Sequence, residues 1–141
     1  MKIIKRYSGV LVKCKNEVLL CKRSGSADYS GAWSIPTGKL NKKESPKNGA
    51  IREFYEETNL NINSDIKLCG FINRISRDGK REKGLMYVFL YEVSDKIYPD
   101  LENAKDGHEH TECGYFNLEN LPVENNNDQL FVIIKNFLSK N

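Results

Sequence analysis

No apolar run in the sequence approaches the roughly 20 residues that cross a bilayer, so no membrane-spanning helix is expected. The opening residues, MKIIKRYSGV, hold neither the apolar stretch nor the small-residue cleavage site of a secretory signal, and a cytoplasmic location is the expectation. Cysteine is scarce. Cys14, Cys21, Cys69 and Cys113 are the four, and no two form a CxxC pair. They read as reduced, packed thiols, and a zinc site is not expected. A strong excess of one charge is lacking too, since 22 Lys and Arg against 19 Asp and Glu leave a net +3. That balance calls for neither duplex nucleic acid nor a membrane surface, and it does not oppose a small anionic ligand. No repeat, low-complexity tract or linker interrupts the chain. Residues 1–141 are therefore expected to form a single domain with its own core.

The hydrophobic pattern supplies the elements. IIKRYSGVLVKCKN and EVLLCKR read as strands joined by a turn near Lys15-Asn16. SGSADYSG, residues 24–31, reads as a polar loop, and AWSIPTGKL as a short strand entering a Pro/Gly turn. SPKNGAIREFYEETN opens with serine and proline, an N-cap followed by a first helical residue that needs no N–H. It closes on Asn59, a residue that tolerates the left-handed conformation. Residues 46–58 are thus a helix by expectation. IKLCGFINRIS and GLMYVFLYEV read as two longer strands with a hairpin at Asp78-Gly79. A polar stretch, 94–112, precedes a short strand CGYFNL and an amphipathic closing helix DQLFVIIKNFLSK. Strands with mostly antiparallel neighbours and two helices imply an α+β or α/β/α layered domain.

Within the first helix, REFYEETNL carries Glu53, Glu56 and Glu57 on one turn. At about 100° per residue they share a face, with Ile51, Phe54, Tyr55 and Thr58 opposite. The aromatics would bury the helix while the glutamates point away. Like charges at these spacings repel by a few tenths of a kcal/mol per pair. They also lie near the helix C-terminus, where the dipole disfavours anions. Arg52 or a divalent cation would compensate them, hard cations taking carboxylate oxygens. An ordinary acidic surface remains the alternative at this point.

The spacing extends the pattern upstream. From Gly38 to Leu60 the chain reads G-x5-E-x7-R-E-F-Y-E-E-T-N-L, with Glu44 as the first acid. This resembles the Nudix hydrolase signature at every defined position except Asn59, which stands where the family has Gly. The preceding GAWSIPTGK resembles the family's lead-in strand, with Thr37 where a second Gly is usual. The order of strands and helices fits along most of the chain.

The resemblance implies a Nudix-type α/β/α sandwich with a mixed sheet and a loop-helix-loop signature. It implies hydrolysis of a nucleoside diphosphate linked to another group, with Mg2+ or Mn2+. Carried across, Glu56 and Glu57 are metal ligands, and Glu53 is a further ligand or the base that activates water. Arg52 orients Glu53, Gly38 offers a backbone carbonyl to the metal, and Glu44 ties the signature loop together. Many members add an acid from the loop before the last strand. Glu109, six residues before Tyr115, is the choice here, and Glu112, three before it, is the rival. His108 and His110 flank Glu109 and read as exposed loop residues. Arg23 and Lys39 would hold the distal phosphate, or are plain solvated charges.

The substrate is less legible. Downstream markers of the ADP-ribose and dinucleoside-polyphosphate subfamilies are absent, as is the upstream coenzyme A motif. Asn125, Asn126 and Asn127 follow Leu121-Pro122, near the place where MutT-type members read a purine with an Asn. An amide offers donor and acceptor together, but a polar loop and helix cap explain these residues as well. Trp33, Tyr29 and Tyr87 are stacking candidates, with Trp33 equally suited to the core. The favoured expectation is a MutT-like nucleoside triphosphate pyrophosphohydrolase releasing NMP and pyrophosphate, acting as a monomer or homodimer. An ADP-ribose or nucleoside-diphosphate-sugar pyrophosphatase is the first alternative and a dinucleoside polyphosphate hydrolase the next. A nucleotide sensor without catalysis is a third, opposed by the intact Glu53, Glu56 and Glu57.

Overall fold

The computed structural model describes residues 5–25, 31–75, 83–122 and 128–138. Tyr29, the expected hairpin at Asp78-Gly79 and Asn125 to Asn127 lie outside them. Seven strands among these residues form one mixed sheet. They are β1 (Lys5–Cys14), β2 (Glu17–Arg23), β3 (Trp33–Ser34), β4 (Thr37–Lys39), β5 (Lys67–Ile75), β6 (Lys83–Val93) and β7 (His110–Asn117). Helix α1 (Pro46–Thr58) lies between β4 and β5, and α2 (Asp128–Leu138) follows β7. The main order is β3-β2-β1-β6-β5, with β4 beside β1 and β7 beside β2.

Strand β1 is the spine. It runs parallel to β6 over its full length, from the Lys5/Gly84 pair to the Cys14/Val93 pair. Its other edge is shared: Tyr7–Gly9 pairs with β4, and Lys13–Cys14 pairs with β2. Lys15, at φ 55, makes the tight turn between β1 and β2. Alternation sends Val10 and Val12 to one face and Leu11 to the other. The first face packs with Leu19 and Phe89 under Ala50 and Phe54 of α1. The second packs with Leu20, Ile72 and Val88 under Leu130, Phe131 and Ile134 of α2. The result is the expected layered α/β/α arrangement with a core on each side of the sheet.

Several local expectations are corrected. TGK is not a turn. Pro36 lacks the N–H that would continue β3, and Thr37–Lys39 instead re-pairs with β1 as β4. The last strand begins at His110, three residues before CGYFNL. Four reduced thiols were expected, yet Cys21 and Cys113 are joined as a disulfide. They stand directly opposite on β2 and β7, with Cα atoms 4.0 Å apart. Cys14 and Cys69 are free.

Helix α1 matches its expected bounds because its ends are set locally. Ser45 is extended, and its Oγ accepts from Asn48 N–H at 3.2 Å. Asn59 sits at φ 61, ψ 21, and its N–H donates to the Tyr55 carbonyl at 2.8 Å. Its faces are not as expected. With Phe54 as the centre of the buried face, Glu57 falls about 60° to one side and Tyr55 about 100° to the other. Phe54 and Glu57 are accordingly fully buried, while Tyr55 is 43% exposed. Tyr55 is no anchor, and Glu57 does not point away.

The left-handed Asn59 yields a direct test. Asn59→Ala is expected to lose about 1–2 kcal/mol, because a Cβ is disfavoured there and alanine lacks asparagine's local polar contacts. Asn59→Gly should stay close to the unsubstituted protein. Denaturant midpoints check this, and an Asn59→Ala protein as stable as the parent would contradict it.

Candidate active site

The signature residues converge around Arg52. Its Nε donates to Glu44 Oε2 at 2.8 Å and its Nη2 to Glu44 Oε1 at 2.9 Å, a bidentate pair. Nη1 donates to Glu53 Oε1 at 2.8 Å and Glu56 Oε1 at 3.1 Å, and Nη2 also reaches the Lys39 carbonyl at 3.1 Å. Glu44 in turn accepts from Asn41 N–H at 2.9 Å. One guanidinium therefore binds the loop before α1, the end of β4 and two glutamates of α1. It holds the Glu44 carboxyl below its usual range, and its own proton is held more firmly than in a free arginine.

Gly38 admits Glu53. A Cβ on Gly38 would overlap the Glu53 carboxyl group, so glycine is needed for the acid to lie against β4. Burial raises the Glu53 pKa, opposed by Arg52 and assisted by the Glu56 charge.

Glu57 differs from its neighbours. Its side chain is fully buried, and neither oxygen has a hydrogen-bond partner among the described residues. Burial first, then the charges of Glu109 and Glu53, push its pKa well above 4.5 against the pull of Arg23. Repulsion between surface carboxylates is worth tenths of a kcal/mol. An uncompensated buried charge costs on the order of several kcal/mol. Glu57 is therefore the residue whose state decides the site: it holds a proton or it faces a cation.

The loop before β7 closes the site from one side. Asp106 N–H donates to the Glu56 carbonyl at 2.7 Å, and Asp100 N–H to the Thr58 carbonyl at 2.8 Å. These are last-turn carbonyls of α1 that the helix cannot satisfy itself. A Cβ on Gly107 would overlap the Leu101 carbonyl, so only glycine fits that bend. A single 3-10 turn, Gly107–Glu109, then leads into β7. The Glu109 carbonyl accepts from Ser24 N–H at 2.9 Å, which ties the turn to the end of β2. Glu109 is half-buried and Glu112 is exposed.

His108 is exposed as expected, but His110 is not. The register slips between Lys22/Glu112 and Arg23/His110, a bulge that re-aims the strand. His110 is thereby turned inward, its side chain fully buried, with Nδ1 3.6 Å from Glu57 Oε1. Sequence reasoning missed it, since a one-residue bulge leaves no mark in composition. Burial and the Arg23 charge lower its pKa to about 4.

The remaining candidates are less central. Arg23 lies across the bulge from His110 and acts electrostatically on both His110 and Glu57. Lys39 is exposed, and its part in the cluster is its carbonyl. Trp33 packs edge-on to Phe116 at 4.8 Å beside the α2-side core, and Tyr87 packs on Phe71 at 5.3 Å.

The NUDIX domain model matches residues 5–137 of this chain. The chain belongs to the NUDIX family. NUDIX proteins are pyrophosphohydrolases, and this chain is a NUDIX hydrolase. It is 26% identical over 102 residues to the 8-oxo-dGTP diphosphatase of Proteus vulgaris, covering 72% of this chain and 88% of that one. It is 28% identical over 109 residues to an RNA pyrophosphohydrolase of Bartonella bacilliformis, covering 68% and 64% respectively. Its fold superposes on the MutT NUDIX hydrolase of Burkholderia pseudomallei with TM-score 0.79 at 21% identity, covering 95% of this chain and 98% of that one. Among the described residues no helix is long and apolar enough to cross a membrane.

Among the described residues of this NUDIX chain, no three acidic, imidazole or thiol groups form a finished ion cage. The reason is visible: Arg52 Nη1 draws one oxygen each of Glu53 and Glu56 to itself. The donor chemistry nevertheless fits a hard divalent cation, because the Glu57 oxygens are buried, acidic and unpartnered.

The raised Glu57 pKa gives a pH prediction for the metal-free protein. The unfolded chain releases this proton near 4.5, while the folded chain keeps it to higher pH. The group's stabilising contribution is complete below the unfolded value and is lost as pH rises toward the folded one. In a chelator, the melting temperature of the parent should fall relative to Glu57→Gln as the pH rises above 4.5. Mg2+ should remove that fall. Parallel curves for the two proteins would contradict the assignment.

Proposed function

We propose that this NUDIX hydrolase is a MutT-like nucleoside triphosphate pyrophosphohydrolase that releases NMP and pyrophosphate. The observation that carries the chemistry is Glu57, a buried carboxylate with both oxygens unpartnered beside Glu53 and near Glu109. The support for the substrate class is the likeness to the Proteus diphosphatase and the absence of other subfamily markers. The reading treats residues 1–141 as one domain and, because nucleoside triphosphates are intracellular, places it in the cytoplasm. No membrane or duplex nucleic acid takes part, and the unit is a monomer or homodimer.

In this reading Glu56, Glu57 and Glu109, with Glu53 and the Gly38 carbonyl, hold Mg2+ or Mn2+. When bound, that cation neutralises the phosphates and supplies Lewis acidity toward phosphoryl oxygen and water. The chain's own residues do the rest. Arg52 keeps Glu53 Oε1 engaged, which leaves Oε2 to accept a proton from the attacking water. Burial, which raises the Glu53 pKa, makes it a stronger base toward that water than an exposed carboxylate would be. Glu44 holds Arg52 in place from the loop side. Arg23 and Lys39 contribute positive charge for the distal phosphate. Asn125 and Asn127 are the proposed readers of the base.

A substrate panel with Mg2+ and Mn2+, read by mass, tests the reading. NMP plus pyrophosphate from a triphosphate is the expected product. AMP plus ribose 5-phosphate from ADP-ribose as the preferred reaction would replace it, and tight binding without cleavage would make the chain a sensor. Glu57→Gln should cut turnover about 100-fold or more with little loss of stability. Glu109→Gln should impair turnover more than Glu112→Gln does, and the reverse order would move the loop acid to Glu112.

A further inference from the structure

His110 lies outside the Gly38–Leu60 signature and is unexplained by packing alone. Its side chain is fully buried, and both ring nitrogens lack a hydrogen-bond partner among the described residues. A buried imidazole normally finds partners for both nitrogens, because leaving one unmade costs roughly 1–3 kcal/mol. Glu57 Oε1 lies 3.6 Å from Nδ1 and is likewise unpartnered. Two orphaned polar side chains therefore face each other, just beyond hydrogen-bond distance. The β7 bulge aims His110 there, and the bond from Ser24 to Glu109 holds that segment against β2.

A carboxylate only accepts, and a neutral imidazole donates through one nitrogen alone. With Glu57 ionised, as a cation ligand is, a neutral imidazole makes this contact favourable only in the tautomer with its proton on Nδ1. We propose that His110 is a positioning residue for Glu57: its Nδ1–H donates to Oε1 and turns Oε2 toward the divalent cation. A carboxylate with two unpartnered oxygens can rotate, whereas one oxygen held by a fixed donor presents the other in a defined direction. Partners of this kind behind a metal ligand are worth about 10- to 100-fold in metal affinity. The inference rests on the proposed role of Glu57 as a ligand.

The experiment is Mn2+ binding by EPR at pH 8, where imidazole is neutral, on full-length His110→Asn, His110→Gln and His110→Leu proteins, with melting temperatures alongside. Asn places its amide nitrogen near the Nδ1 position, Gln places its own near Nε2, and Leu has no donor. The expected result is Mn2+ affinity about 10-fold weaker or more for Gln and Leu, with Asn within about threefold of the parent. Should the Leu protein fail to fold, the contrast between Asn and Gln carries the test. Equal affinity in all three, or equal weakening in all three, overturns the proposal. So does a pulsed-EPR signature of nitrogen bound directly to Mn2+ in the parent, which would make His110 a ligand. Glu57→Gln separates the two claims: if it binds Mn2+ as the parent does, the ligand reading fails. If it loses binding while the His110 variants keep theirs, only the positioning role fails.

Discussion

The site depends on one guanidinium. Arg52 binds Glu44 with two bonds, Glu53 and Glu56 with one each, and the Lys39 carbonyl with another. Each partner comes from a different constraint: the loop before α1, the helix itself, and the end of β4. Lysine would not serve, since three rotating donors cannot match this planar fork. The like charges on the helix turn are therefore largely compensated by the chain, and the acidic spacing by itself does not require a metal. Glu57 is the exception. It is on the same turn, yet it is rotated into the protein beyond the reach of Arg52.

The electrostatics then point one way. Five carboxylates, Glu44, Glu53, Glu56, Glu57 and Glu109, gather around Arg52 and Arg23. Lys105 adds only a distant contact, 4.0 Å from Glu56 and largely exposed. Acid outnumbers base, so a polyphosphate approaching this face would be repelled unless added cations reverse the local sign.

Legibility in the sequence followed the range of the interaction that set each feature. The bounds of α1 were readable because Ser45, Pro46 and Asn59 fix them within a few residues. The sandwich was readable from alternation on β1 and β2. The cluster of Arg52, Glu44 and the helix glutamates was readable from the spacing together with the family resemblance that the spacing carries. What failed was non-local or marginal. Tyr55 and Glu57 both lie near the edge of the buried face, and only the loop packed over that edge decides which is covered. Cys21 and Cys113 are 92 residues apart, and their meeting depends on the β2–β7 register. His110 was misplaced because it reads as part of a polar loop, whereas the last strand starts at it and a bulge between His110 and Glu112 turns it inward.

The same reasoning bears on Asn59, where glycine would be expected by resemblance. Its conformation is left-handed as required, so the helix ends where glycine would end it. Asn103 bonds to the Asp100 carboxylate through its own N–H and its side-chain amide, and these bonds hold that group below its usual range. Asp100 is the residue whose N–H caps the Thr58 carbonyl. That backbone bond ties the helix end to the loop that carries Glu109. The departure from the signature therefore leaves the helix stop, and the backbone link between the two halves of the site, in place.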